Sequence, residues 1–230
     1  MAVLFSAAAL LTSAHDSTVL MTAPLTAGTL STTETDLSLL PSGYGYILAG
    51  GLDDAFPTTT VSNPPSAGTP EDLKVQNGLN GVLGLGLANT NLGQDNGYIG
   101  PTDAIVLDFS NVKNTTVNSI TFSLYEDYGG SADYVVWGTN ETLNTTTGKL
   151  NTTGTPVYTL IASGVTTNST PLTISTSGTI YTSYVVGLTN DCAMDIQGVE
   201  INAPEPGTFV LAGMALIGLG VTLKRRSGKA

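Results

Sequence analysis

The sequence predicts an all-β protein, a jelly-roll-like β-sandwich carried between an N-terminal signal segment and a single C-terminal membrane-spanning helix. Three observations carry that expectation. Short apolar runs recur with a period of two, the spacing that turns one face of a strand into a core. Turns rich in Gly, Asn and Thr separate these runs, and no stretch before residue 208 has a helical period. Many short strands bury their apolar faces best against a second sheet.

The chain opens with MAVLFSAAALLTSAHDS, an apolar stretch from Ala2 to Leu11 followed by Thr12-Ser13-Ala14. Small residues flanking the Ala14–His15 bond fit signal-peptidase cleavage after Ala14, so residues 1–14 read as a signal peptide. The run is too short to span a bilayer, and no Lys or Arg precedes it. Residues 15–77 are rich in Thr, Pro, Ser and Gly, as in PTTTVSNPPSAGTPED, and read as an irregular segment with few strands. Tyr44-Gly-Tyr-Ile-Leu48 is the best strand candidate within it.

A β-sandwich domain is expected over residues 78–202. In NGVLGLGLANTNL, residues 80–92, leucines and valine alternate with Gly or small residues, which fits a strand lying close to another backbone. In AIVLDFS, Ile105, Leu107 and Phe109 point one way; in VNSITFSLYED, Ile120, Phe122 and Leu124 oppose Thr121, Ser123 and Tyr125. YVVWGT, PVYTLIAS, PLTIST and YTSYVVGLT follow. The last run, AMDIQGVEINA, alternates at Met194 and Ile196 and resumes at Val199 and Ile201. That slip at Gln197-Gly198 predicts a β-bulge.

Charge excludes one class of partner. Four of the seven basic residues fall in the last seven positions, so residues 1–223 set three lysines against all 18 acidic residues, a formal balance of −15. Such a surface repels phosphate backbones, and nucleic-acid binding is excluded. Catalysis has little to work with: His15 is the only histidine and Cys192 the only cysteine. No Ser-His-Asp or Cys-His arrangement, disulfide or His-rich metal site follows from that inventory, and a non-enzymatic role is expected. Glu126 and Asp127 with Asp133 form a carboxylate set of the kind that cuts glycosidic bonds, or an ordinary solvated turn.

Two binding chemistries have a foothold. Calcium takes six to eight oxygens from flexible loops. GQDNGYIGPTD and YEDYGGSAD bring Asp95, Asp103, Glu126, Asp127 and Asp133 into Gly-bearing loops, without EF-hand spacing. A carbohydrate site needs exposed aromatic platforms, and Trp137, Tyr125 and Tyr134 lie near one another in sequence. Aromatic residues in strands also serve as core or cross-strand packing.

The chain closes with APEPGTFVLAGMALIGLGVTLKRRSGKA, residues 203–230. Pro204 and Pro206 fix φ and remove two backbone donors, leaving Pro204-Glu205-Pro206 as an extended strip with one charged handle. Phe209 to Leu223 carries no charge; with Gly207 and Thr208 it makes a short spanning segment over 207–223. Lys224, Arg225, Arg226 and Lys229 follow at once and hold that end in the cytoplasm. The triplet, the apolar helix and the basic end together resemble the PEP-CTERM sorting signal of Gram-negative bacteria. The same tail is also named an ice-binding protein C-terminal domain; no regular Thr-x-Thr repeat accompanies it here.

The resemblance covers residues 203–226. It implies processing near the triplet by an exosortase, a membrane-embedded transpeptidase-like enzyme. It also implies transient anchoring in the inner membrane with the body outside, then release to the cell surface or matrix. An exopolysaccharide or biofilm setting goes with that family. The role expected of the body is structural or adhesive, and a carbohydrate-binding module with a defined glycan is the alternative.

Overall fold

The computed structural model describes residues 16–19, 28–30, 33–34, 45–56, 64–66, 68–77, 81–88, 98–100, 102–113, 119–126, 130–152, 156–167, 172–176, 180–189 and 193–202. The expected signal segment 1–14, Cys192 and the tail from 203 onward lie outside them. Among the described residues there is no helix, and hence none long and apolar enough to cross a membrane.

Sixteen strands are present in these residues. In order they are β1 (Asp16–Val19), β2 (Gly28–Thr29), β3 (Thr33–Glu34), β4 (Leu48–Asp53), β5 (Thr69–Glu71), β6 (Leu73–Asn77), β7 (Leu83–Leu87) and β8 (Ala104–Asp108). Then follow β9 (Ser119–Glu126), β10 (Ser131–Thr139), β11 (Thr142–Leu143), β12 (Leu150–Asn151), β13 (Tyr158–Thr167), β14 (Leu172–Ser175), β15 (Ser183–Leu188) and β16 (Met194–Asn202). The first sheet runs β14-β9-β16-β7-β6-β2, with β1 also on β16; the second runs β13-β10-β15-β8-β4-β3, with β5 also on β4. β11 and β12 form a separate hairpin. The two sheets pack as a sandwich.

The core lies where the period-two patterns point. Ile120, Phe122 and Leu124 of β9, with Ile196, Val199 and Ile201 of β16, face Ile105 and Leu107 of β8 and Tyr184 and Val186 of β15. Tyr184 is fully buried among Phe109, Phe122 and Tyr181, with ring centroids 5.4–6.2 Å away. Its hydroxyl accepts the Tyr181 N–H at 3.2 Å, which satisfies the one polar atom of an otherwise apolar site. The predicted bulge is present: β16 slips against β9 between Ile196 and Gly198, leaving Gln197 as the extra residue. That slip keeps Val199 and Ile201 turned inward.

Within the second sheet β8 and β15 are buried on both faces, which is why they read as near-continuous apolar runs. Its outer face carries Leu48, Leu52, Val106, Val135, Trp137 and Val185, packed with Phe56 and Leu143. Leu143 belongs to the β11–β12 hairpin, so the hairpin helps to cover that face.

The sandwich extends further toward the N-terminus than the expected start at residue 78. β4 lies inside the second sheet against β8, and β6 pairs with β7 in the first. Gly50 and Gly51 interrupt the period-two pattern of β4, so its sequence resembles a loop. Both glycines are steric requirements: a Cβ at Gly50 would come 2.6 Å from Leu143 Cδ2, and one at Gly51 2.5 Å from the Glu71 carbonyl oxygen. The candidate strand at 44–48 is displaced toward the C-terminus. Gly45, with φ +85°, makes an isolated bridge to Val112, and the regular strand starts at Leu48. Tyr44 lies outside the described residues.

Candidate functional site

The outer face of the first sheet is polar. Because residues 120, 122 and 124 of β9 point into the core, Thr121, Ser123 and Tyr125 take the opposite face. β14 obeys the same alternation, with Ile174 buried and Thr173 and Ser175 exposed. The register places Thr173 opposite Ser123 and Ser175 opposite Thr121, so four hydroxyl-bearing residues form a two-by-two grid. β16 extends it: Glu200 stands opposite Thr121, and Asp195 opposite Tyr125. Asp195 is buried, and so is the β7 residue it lies against, Gly84. A Cβ on Gly84 would overlap the Asp195 carboxylate, so the glycine makes room for that side chain.

This grid is a row of hydrogen-bonding groups on a rigid sheet. Hydroxyls donate and accept, whereas ionised carboxylates only accept, and that mixture matches the hydroxyl groups of a sugar chain. The period-two pattern marks these residues as polar. Their mutual placement depends on the β9–β14 register, which the sequence does not state.

The expected aromatic platform is not assembled. Trp137, 6% exposed, packs in the outer cluster of the second sheet; Tyr134, 8% exposed, points into the central core. Tyr125, 3% exposed, belongs to the other sheet altogether. Tyr134 and Trp137 take opposite faces because they are three positions apart on one strand, and cross-strand neighbours cover each of them. Burial raises the Tyr134 phenol above its ordinary value.

The expected calcium ligands are likewise dispersed. Asp103 and Glu126 are buried, Glu126 accepting the Gly130 N–H at 3.2 Å, and Asp133 is half-buried on β10. Asp95 and Asp127 lie outside the described residues. Among the described residues no three His, Cys, Asp or Glu gather closely enough to hold a metal ion.

Two further polar features serve the fold. Asp108 at the end of β8 is buried; its Oδ1 accepts the Ser110 N–H at 2.7 Å and its Oδ2 the Leu143 N–H at 2.6 Å. It thereby ties the β11–β12 hairpin to the second sheet. Glu71, on β5, has its carboxyl raised above the usual 4.5, first by burial and then by the Asp53 and Asp72 charges.

No curated protein matches the chain. Among solved structures, one similar chain holds the CBM22-1 and GH10 modules of Clostridium thermocellum endo-1,4-β-D-xylanase 10B, complexed with xylohexaose. Identity is 12% and the TM-score 0.38, over 56% of this chain and 24% of that one. This protein thus spans about a quarter of that enzyme's chain. Another is the CBM22-1 xylan-binding domain of Paenibacillus barcinonensis Xyn10C, at 11% identity and TM-score 0.36, covering 76% of this chain and 89% of that one. The tandem CBM22-1–CBM22-2 structure from the same enzyme gives 10% and 0.35, over 79% and 44%. No ligand is carried over from likenesses of that size. The tail is different: residues 202–226, which include Pro204, Glu205, Pro206 and the basic end at Lys224–Arg226, match the family model of the PEP-CTERM protein-sorting motif, so this chain ends in an exported protein's sorting signal.

Proposed function

We propose that this is a bacterial surface or matrix protein, non-enzymatic, whose sandwich serves a structural or adhesive role within exopolysaccharide. One observation carries the reading. The sorting motif begins at residue 202, which is also the last residue of β16, so the folded body is joined to its export signal without a linker. The apolar run holds the chain in the inner membrane with the anionic body outside. An exosortase then cuts near Pro204-Glu205-Pro206 and releases the sandwich to the surface. Passage of the chain from one sheet to the other between β7, β8, β9 and β10, and again between β13, β14, β15 and β16, supports the jelly-roll-like form. Mass spectrometry of the protein recovered from culture medium tests the processing. The expected species lacks both termini; a released protein that still carries residues 207–229 refutes it.

The hydroxyl grid favours a second reading, that the body holds a glycan chain on the outer face of the first sheet. Thr121, Ser123, Thr173 and Ser175 supply donors and acceptors on two paired strands. The formal balance of −15 outside the last seven residues disfavours polyanionic glycans, so a neutral polysaccharide is the fitting class. Retention on neutral polysaccharide columns, weakened by Thr121→Val with Thr173→Val at unchanged melting temperature, supports it. Equal retention of the double variant refutes it.

A further inference from the structure

β13 forms one edge of the second sheet, and among the described strands it pairs with β10 alone. It is ten residues long, YTLIASGVTT, with no charge and no proline. Along it Thr159, Leu160, Ser163, Val165 and Thr167 are exposed, Val165 at 56%. An edge strand offers a row of outward backbone groups to any other strand, and proteins usually blunt such edges by shortness, proline or charge.

The other edges here are blunted in those ways. β2 and β3 have two residues each, β5 has three with Pro70 and Glu71 among them, and β14 has four. β13 has one such device, a bulge at Ile161 where Val136 pairs with Ala162 and Trp137 with Leu160. Beyond the bulge Ala162–Thr167 runs in unbroken register with β10.

We propose that Ala162–Thr167 is a self-association edge, through which two copies of this chain pair β13 to β13 antiparallel. Charge selects the occupant. A body so acidic repels its own copies everywhere except at a neutral stretch, and β13 is the long neutral stretch on an edge. Geometry agrees. A two-fold axis perpendicular to the sheet makes neighbouring strands antiparallel and keeps outward residues outward, so one edge is complementary to itself. An axis at Gly164 sets Val165 of each copy against Ser163 of the other. The joined sheets then run continuously through two molecules, a means of cross-linking a matrix.

The test uses the full chain in dodecyl maltoside micelles, followed by sedimentation velocity over a concentration series and by amide hydrogen exchange. The expected results are a reversible dimer and exchange at residues 162–167 that slows with concentration. Val165→Lys, which sets two like charges diagonally across the seam, weakens dimerisation about tenfold or more. Val165→Pro acts similarly, and Val82→Lys, at an exposed apolar site before β7, leaves the dimer intact. A monomer at all concentrations overturns the proposal, as does a dimer indifferent to Val165→Lys, which assigns association to the tail or another surface. Should Val165→Pro lower the melting temperature, the lysine variant and the exchange pattern decide.

Discussion

Replacing Asp108 with Asn tests how the β11–β12 hairpin is held over the second sheet. The carboxylate is buried, and each oxygen accepts one backbone N–H, from Ser110 at 2.7 Å and from Leu143 at 2.6 Å. Asparagine keeps one oxygen and turns an NH2 group toward the other N–H. One charge-assisted hydrogen bond, about 1.5–3 kcal/mol, is lost, and a buried donor left unmatched costs about 1–3 kcal/mol more. Relief of the buried charge offsets part of that, leaving a net loss of about 2–4 kcal/mol. For a chain of this length the melting temperature falls by about 5–15 °C.

The consequence is local as well. Leu143 packs with Trp137, Leu48 and Val185, and Ser183 Oγ donates to the Glu141 carbonyl at 2.7 Å as a second tie. Loosening the hairpin therefore wets Trp137. It is the chain's only tryptophan, so its fluorescence reports this site alone. The expected variant emits at longer wavelength and is quenched more readily by acrylamide below its melting transition. A variant that melts within about 1 °C of the parent, a difference of less than about 0.5 kcal/mol, with Trp137 emission unchanged, refutes the reasoning.

Three further outcomes are expected. Phe122→Ala empties a fully buried site between the sheets and costs about 3–5 kcal/mol, read by thermal or denaturant unfolding. Gly84→Ala forces the buried Asp195 carboxylate out of its place against β7; a lower melting temperature is the expected result, measured by thermal unfolding followed by circular dichroism. Glu71→Gln separates two pH regimes. The folded state holds the Glu71 proton more tightly than the unfolded chain, so its stabilising contribution is complete below the ordinary value of 4.5 and lost as pH rises through the raised folded value. The glutamine variant therefore melts higher than the parent at pH 7, and its advantage vanishes in acid.

Much of this protein was legible in its sequence because the signals are local. Alternation at Ile105, Leu107 and Phe109, and at Ile120, Phe122 and Leu124, states which side chains enter a core, since a strand's period is set by its own backbone. The bulge at Gln197 shows as a slip in the same alternation. The sorting motif is a contiguous run of sequence, so it needs no fold to be recognised. Trp137 and β4 mark the limit of that legibility. Tryptophan, Tyr125 and Tyr134 are close in sequence, yet alternation and sheet membership send them to three different faces. β4 looked like loop because its glycines accommodate Leu143 and the Glu71 backbone, partners 93 and 20 residues away that no local pattern reveals.

The sequence by itself determined the strand period, the inward residues, the anionic character of the body and the sorting address. Each is a property of neighbouring residues or of a charge sum. Only the tertiary structure decided which strand lies beside which: that Thr121 faces Ser175, that Asp108 reaches the hairpin, and that β13 is left on an edge. Strand pairing is a contest among all backbone groups of the chain. Each strand makes the same kind of hydrogen bond to any partner, so the winner is set by how the whole set of apolar faces closes around one core.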